Sequence, residues 1–384
     1  MQRISGIQSR FTIYGSRLLD ERIKRDMKYI VQFLLDHQGP APLASIWLGG
    51  AYGRGEGAVF RSGGQERPWF DYDLYLIYSQ LDAGTDLQPL YRRWNEQMSA
   101  HLSLPVQLRS PGDVHAIGAL EPRLSWYDLC LSHQVLWGNS DLIPQLRGGP
   151  VLPAGTALNL LLYWGEKLLE LQAQLSCPDL PDSAHDTWYR VVTALGDAWL
   201  LSLDLYHVST QERSQRFHSW QRDHGQPWSR ELGYFYQEAL QYRLQPSEFE
   251  TMSSQLVHRI PELSRIFVQV YLGIFAQEVY KPLDLAQFER LFRERQQQPQ
   301  PATWQLRHLI ANLRQYRGRS FHAGWYLRPL LHRLYFLLPF LLERQLPSKT
   351  SLARVLPDLP AGAGLAEVKA QFLGLWRQVE DKLI

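Results

Sequence analysis

Five glycines fall within the nine positions from Gly49 to Gly57, directly after the apolar run from Leu43 to Leu48. A short apolar run that ends in two glycines is typical of a buried strand that leads into a tight turn. Because glycine has no Cβ atom, the backbone N–H groups of such a turn can approach an anion closely, and phosphate is the obvious candidate. The spacing is neither that of a P-loop nor that of a dinucleotide-binding fingerprint.

A pair of acids follows on the next segment that favours β structure. Residues 72–78 read Tyr-Asp-Leu-Tyr-Leu-Ile-Tyr, and Asp71 and Asp73 stand at its start. Residues two apart in a strand point to the same face, so the pattern predicts two carboxylates side by side. Like charges this close repel each other unless a cation lies between them, and Mg²⁺ prefers oxygen ligands and binds nucleotide phosphates. The glycine turn, the cationic Arg54 and the two acids together predict one site for a triphosphate and a metal ion.

The first 150 residues alternate between helical and extended patterns. Apolar residues at spacings of three and four predict a helix over 17–37, followed by strand, strand, helix and strand. We interpret 1–150 as an α+β domain with a small mixed sheet. Its predicted strands cover 43–48, 72–78, 104–108 and 134–137, a polar loop covers 53–68, and further helices cover 87–102 and 114–131.

From residue 151 onward the sequence shows only helical periodicity. A chain of 384 residues exceeds the roughly 250 to 300 residues at which single cores stop growing, so more than one domain is expected. We therefore predict an all-helical domain over 151–384. Its predicted helices cover 157–175, 187–208, 230–244, 261–280, 285–296, 303–316, 325–345 and 365–382.

The bulk composition excludes several classes of protein. Forty Lys and Arg against 38 Asp and Glu leave a formal charge of +2, which is too balanced for a protein that coats a polyanion. Cys130 and Cys177 form neither a disulfide framework nor a zinc-binding spacing, which favours a reducing cytoplasm. We predict no signal peptide, because the residues from Met1 to Gly6 begin no apolar run. We predict no membrane span, because a histidine, an arginine and a proline interrupt the apolar run from Leu330 to Leu342.

The order of strand, Gly-Gly turn and downstream Asp-x-Asp strand resembles the nucleotidyltransferase fold of the DNA polymerase beta superfamily. The matching residues are Gly49-Gly50 and Asp71-Tyr72-Asp73, within a resemblance that spans residues 17–140. It implies Mg²⁺-dependent transfer of a nucleoside monophosphate from a nucleoside triphosphate, most simply ATP, to an acceptor hydroxyl, with release of pyrophosphate.

The resemblance also implies roles for individual residues. The two acids would be catalytic residues and Mg²⁺ ligands, and the glycine turn would hold the β and γ phosphates. The helical domain would bind the acceptor, which is a small molecule, an RNA or a protein, and a homodimer or a partner protein is left open. The implied catalytic and metal-binding residues are Asp71 and Asp73, and the implied nucleotide-binding residues are Gly49, Gly50, Arg54 and Glu56, the last of which is alternatively a solvated loop acid.

Two features depart from the pattern of the superfamily. The separation of Gly50 and Asp71 is long, which implies an inserted loop over 61–69. A third carboxylate is expected on the following strand, where the sequence has Gln107 instead. Asp113 lies further along, and Asp197 belongs to a polar seam on a helix that either faces the site or is simply the wet side of the helix.

The missing third acid leaves a second hypothesis open. The chain is then a weakly active or inactive nucleotide-binding protein, or an antitoxin-like partner protein, with the same fold. An Arg-x4-His spacing from Arg317 to His322 also resembles the motif of HEPN-type ribonucleases, but a chance match is expected in a chain with this many arginines and histidines.

Overall fold

The computed structural model describes residues 10–37, 39–82, 84–102, 104–114, 123–140, 142, 152–153, 155–175, 180–181, 183–248, 255–279, 282–297, 330–356, 359–360 and 362–379. These residues form an α+β protein with a small mixed sheet and many helices, as the sequence predicts. They pack into two compact units. The first unit comprises the described parts of Met1–Ala154, Tyr206–Arg216 and Gln237–Glu250, and the second comprises those of Gly155–Leu205, Phe217–Tyr236 and Thr251–Ile384.

The first unit is built on a four-stranded mixed sheet. The strands of the chain are β1 (Leu43–Leu48), β2 (Val59–Ser62), β3 (Gln65–Pro68), β4 (Tyr72–Tyr78), β5 (Val106–Asp113) and β6 (Gln134–Gly138). The sheet order is β5-β4-β1-β6, with β4 parallel to β5 and β1 antiparallel to both β4 and β6. Strands β2 and β3 form a separate hairpin within the segment for which the sequence predicts a loop.

Side chains of β4 alternate between the two faces of this sheet. On one face Leu74 and Leu76 join a buried core with Met27 and Trp94, which lie on α1 (Arg17–Asp36) and α3 (Gln88–Leu102). On the other face Tyr75 and Ile77 pack with Trp47 of β1 and with Leu129 of α4 (Leu124–Leu131). Since side chains alternate along a strand, Asp73 lies on the same face as Tyr75. The short helix α2 (Gly50–Gly53) follows β1 directly.

The remaining described elements are helices. They are α5 (Thr156–Gln174), α6 (Ser183–Ser202), α7 (Thr210–His224), α8 (Ser229–Tyr242), α9 (Leu256–Val279), α10 (Leu285–Gln297), α11 (Leu330–Leu342), α12 (Lys349–Val355) and α13 (Leu365–Trp376). In the second unit α5, α6, α9 and α11 pack together through apolar side chains such as Leu168, Leu195 and Phe267. No helix in the described part of the chain is both long and apolar enough to cross a membrane.

Several boundaries differ from those that the sequence predicts. Strand β5 continues to Asp113, and α4 begins at Leu124, within the range predicted as a helix over 114–131. Helix α6 ends at Ser202 rather than at 208, because Asp204 adopts a left-handed conformation that closes the helix. The sequence did not predict α7 and α12. The helix predicted over 303–316 and the Arg317–His322 motif lie outside the described residues.

Candidate functional site

The glycine turn begins where β1 ends. The backbone N–H of Gly49 donates a hydrogen bond of 2.9 Å to the carbonyl of Asp73, which joins the turn to β4. A Cβ atom at Gly49 would lie 2.6 Å from the ring of Tyr75 and 2.9 Å from the side chain of Leu129. Glycine is therefore required here for packing, and the N–H of Gly49 is already used within the sheet.

Gly50 brings the turn into contact with Asp73, one of the two predicted metal ligands. Its φ is +60°, a backbone angle that residues with a side chain rarely adopt. A Cβ atom at this position would lie 2.2 Å from Oδ2 of Asp73. The absence of a side chain thus allows the Asp73 carboxylate to lie directly beside the backbone of the turn. The two motifs of the predicted site, Gly49-Gly50 and Asp71-x-Asp73, are therefore neighbours in the structure.

The two acids lie at the start of β4. Asp71 immediately precedes the strand, Asp73 is its second residue, and both are half-buried. Burial and then the charge of Asp71 raise the pKa of Asp73 to about 6, although the positive charges of Arg109, Arg54 and Arg243 act in the opposite direction. The two carboxylates therefore interact electrostatically, and three cationic side chains act on Asp73.

Arg109 also lies beside Asp73, although no sequence pattern indicates it. Its guanidinium lies 3.4 Å from Oδ1 of Asp73, and 47% of its side chain is exposed. Arg109 is on β5, two residues after Gln107, which pairs with Asp73 in the parallel register. Val106 and Leu108 are buried in the core on the other face, so alternation along β5 could have placed Arg109 beside the acids once the register was known.

In the described part of β5, the residue that pairs with Asp73 is not an acid. Gln107 occupies the register position opposite Asp73, whereas Asp113 pairs with Tyr78 at the other end of β4. Asp197 belongs to the second unit, where its buried carboxylate accepts a hydrogen bond of 2.5 Å from the hydroxyl of Tyr236. No group of three or more His, Cys, Asp or Glu side chains that could hold a metal ion occurs among the residues with described positions.

Arg54 and Glu56 form a buried ion pair after the glycine turn. The Nε atom of Arg54 lies 3.4 Å from Oε2 of Glu56, and each side chain is only 6% exposed. The Glu56 carboxylate also accepts hydrogen bonds of 2.8 Å from the Ser209 and Thr210 hydroxyls and of 2.9 and 3.0 Å from the Thr210 backbone N–H. Glu56 thus binds the N-terminal end of α7, and its acceptors are occupied by donors of the protein itself.

Electrostatics keep Glu56 ionised. Burial alone would raise the pKa of Glu56, but the charge of Arg54 and the hydrogen bonds from Thr210 and Ser209 outweigh burial and lower it. Glu56 is therefore neither a solvated loop acid nor an exposed group of the phosphate loop. Its ion pair holds Arg54, whose charge also lowers the pKa of Asp73.

The donor set fits a magnesium ion that retains some ligands from outside the protein. Mg²⁺ is usually held by one or two carboxylates, with water and substrate phosphates completing its shell. Asp71 and Asp73 provide two such carboxylates, whose mutual repulsion a cation would relieve. The protein does not supply a complete set of metal ligands here, because the β5 residues on the same face are Gln107 and Arg109, neither of which is an acid.

No protein-family model matches the sequence, and no curated protein matches it.

Proposed function

We infer that the first unit binds a nucleoside triphosphate together with Mg²⁺ and transfers its nucleoside monophosphate to an acceptor hydroxyl. The observation that carries this inference is the approach of the Gly50 backbone to the Asp73 carboxylate, beside Asp71. A turn that can accept a polyphosphate and an acid pair that can accept a hard cation thus share one corner of the sheet. The resemblance to the nucleotidyltransferases supplies the reaction.

The cations around the acids support a polyphosphate as the ligand. Arg109, Arg54 and Arg243 all act on Asp73 in the direction that lowers its pKa, so three positive charges favour an anion at this carboxylate. Arginine guanidinium groups bind phosphate oxygens with well-defined geometry. Arg109 is half-exposed, so its guanidinium is accessible to a phosphate, whereas Arg54 is buried and held by Glu56.

In the proposed site the acids bind the metal ion and the arginines bind the phosphates. Asp71 and Asp73 would hold Mg²⁺, which when bound supplies positive charge to the phosphates during transfer. The arginines would neutralise the pyrophosphate that leaves as the acceptor oxygen bonds to the α phosphorus. Gly50 keeps Asp73 close to the turn, so that metal and phosphate ligands stay adjacent.

Nucleotide binding in the presence and absence of magnesium tests this function. We expect ATP to bind in buffered Mg²⁺ and its affinity to fall at least about tenfold in excess EDTA, since the acid pair repels a bare triphosphate. Calorimetry would measure binding, and pyrophosphate release in a metabolite extract would measure transfer. Equal binding of ATP with and without Mg²⁺, or no binding at all, would contradict the proposed function.

Gln107 favours a second candidate, a protein that binds nucleotide without transferring it. A neutral side chain pairs with Asp73 at the position where the superfamily has its third acid, and Arg109 lies next to it. If the missing acid limits the chemistry, Gln107→Asp should raise pyrophosphate release by about tenfold or more over wild type. Gln107→Asn, which adds no charge, is the matched control. Robust release by wild type together with no gain in Gln107→Asp would exclude this candidate.

A further inference from the structure

Phe70, the residue that precedes Asp71, has an unusual backbone conformation. Its φ is +65°, in the left-handed region that residues with a side chain rarely enter. For a bulky aromatic residue this conformation is sterically costly, and such outliers concentrate at functional sites.

The other left-handed residues of the described chain have an ordinary explanation. Asp204 and Arg344 are the only other non-glycine residues with positive φ among those described, and both follow the end of a helix. In both cases the residue after the left-handed one donates its backbone N–H to a carbonyl five positions earlier. Leu205 donates to Leu200, and Gln345 donates to Phe340. Helices commonly terminate in this way. Phe70 follows no helix, so helix capping does not explain its conformation.

The peptide before Phe70 is held by the glycine turn. The Tyr52 hydroxyl lies 2.9 Å from the carbonyl oxygen of Trp69 and 2.9 Å from its backbone nitrogen, and Tyr52 itself is buried in α2. After Phe70, β4 begins at Tyr72, whose backbone N–H donates a hydrogen bond to the carbonyl of Pro105. The chain is thus fixed on both sides of Phe70, which is how a strained conformation persists.

This conformation directs the aromatic ring toward the end of α8. The ring centroid of Phe70 lies 5.9 Å from that of Tyr242 at an interplanar angle of 66°, and Phe70 is half-buried. Arg243, the next residue after Tyr242, is one of the cations that act on Asp73. Phe70 therefore directly precedes the acid pair in the chain, and its ring contacts the residue next to Arg243.

We propose that Phe70 is the residue on which the base of the nucleotide stacks. The inference rests on the proposed function, because the phosphates must occupy the corner formed by Gly50, Asp71 and Asp73. Because Phe70 directly precedes Asp71 and is only half-buried, its ring is a candidate surface for the base of a nucleotide anchored there, and stacking requires only the flat face of the base. Phe70 accordingly contributes affinity for purine and pyrimidine nucleotides alike.

Two ligands separate base binding from phosphate binding. Magnesium ATP carries a base and magnesium tripolyphosphate does not. For Phe70→Ala we expect ATP affinity to fall roughly tenfold to a hundredfold, the range for loss of one stacked base, with tripolyphosphate affinity within about twofold of wild type. Phe70→Tyr retains a ring and should retain ATP affinity. Tyr14→Ala removes a 43% exposed aromatic side chain of the same unit and is the control.

The outcomes distinguish this inference from the proposed function. Unchanged ATP affinity in Phe70→Ala, or an equal fall for ATP and tripolyphosphate, would overturn the stacking role while the nucleotide site remains. No binding of either ligand by wild type would overturn both. If Phe70→Ala fails to fold, Phe70→Leu keeps an apolar side chain of similar bulk, and the same selective loss of ATP affinity is expected from it.

Discussion

Asp73→Asn is expected to weaken the binding of Mg²⁺ and nucleotide by at least about a hundredfold and also to raise the free energy of unfolding by about 1 to 2 kcal/mol at about pH 8. The loss of binding follows because an amide provides one neutral oxygen where the metal requires a charged one. The gain in stability follows because burial and the charge of Asp71 disfavour the ionised form of Asp73. Its ion pair with Arg109 offsets little of this cost, since half of the Arg109 side chain is exposed.

The stability difference between wild type and Asp73→Asn should grow as the pH rises. The pKa of Asp73 rises from 3.8 to about 6 on folding. Between these values the folded chain holds a proton that the unfolded chain has lost, so the stability of wild type falls as the pH rises and remains lowered above pH 6. Asp73→Asn lacks this decline, and its advantage should therefore be present at about pH 8 and absent at about pH 3.

Urea unfolding of wild type and Asp73→Asn across this pH range measures the effect, with nucleotide binding measured on the same preparations. Asp82→Asn makes the same chemical change at an exposed loop position and should alter neither quantity. A side chain that is kept for function commonly costs stability, whereas a structural one contributes it. Loss of stability in Asp73→Asn at about pH 8 would therefore indicate a structural acid and count against the site.

Local patterns predicted the parts of the site that lie close together in the sequence. The apolar run of β1, the Gly49-Gly50 turn and the alternation around Asp73 each show within a few residues, and the structure brings them together. The β2–β3 hairpin was missed although Gly63 and Gly64 lie between two short extended segments. Both have positive φ, and a two-glycine turn of this kind is a recognised hairpin signal.

The remaining parts depend on contacts between distant segments. Arg109 meets Asp73 only because β4 and β5 pair in one particular register, which no local pattern specifies. Helix α7 was missed because its sequence, from Thr210 to His224, is largely polar and has few apolar positions to show a period. The carboxylate that binds its N-terminus comes from Glu56, 153 residues before Ser209. A sequence pattern cannot show such a pairing, so the sequence alone indicates only a loop acid or a phosphate-loop residue at Glu56.

Glu56→Gln is expected to lower the free energy of unfolding by about 2 to 4 kcal/mol, the opposite sign to Asp73→Asn. The amide would leave the buried Arg54 guanidinium without its counter-charge and would turn an N–H₂ group toward the donors of Ser209 and Thr210. Removing one member of a buried ion pair costs more than the pair itself contributes, because the remaining charge stays desolvated.

The contribution of Glu56 to the free energy of unfolding should depend on pH in the opposite direction to that of Asp73. Because the pKa of Glu56 is lowered from 4.5 on folding, its contribution to stability is complete above pH 4.5 and is lost as the pH falls through the lower pKa of the folded state. The difference between wild type and Glu56→Gln is therefore largest at neutral pH and narrows in acid. Urea unfolding at about pH 7 and about pH 3 measures it, with Glu96→Gln on the exposed face of α3 as the control. Equal stability of Glu56→Gln and wild type at about pH 7 would mean that the ion pair with Arg54 and the bonds to α7 contribute nothing net to stability, and would contradict this prediction.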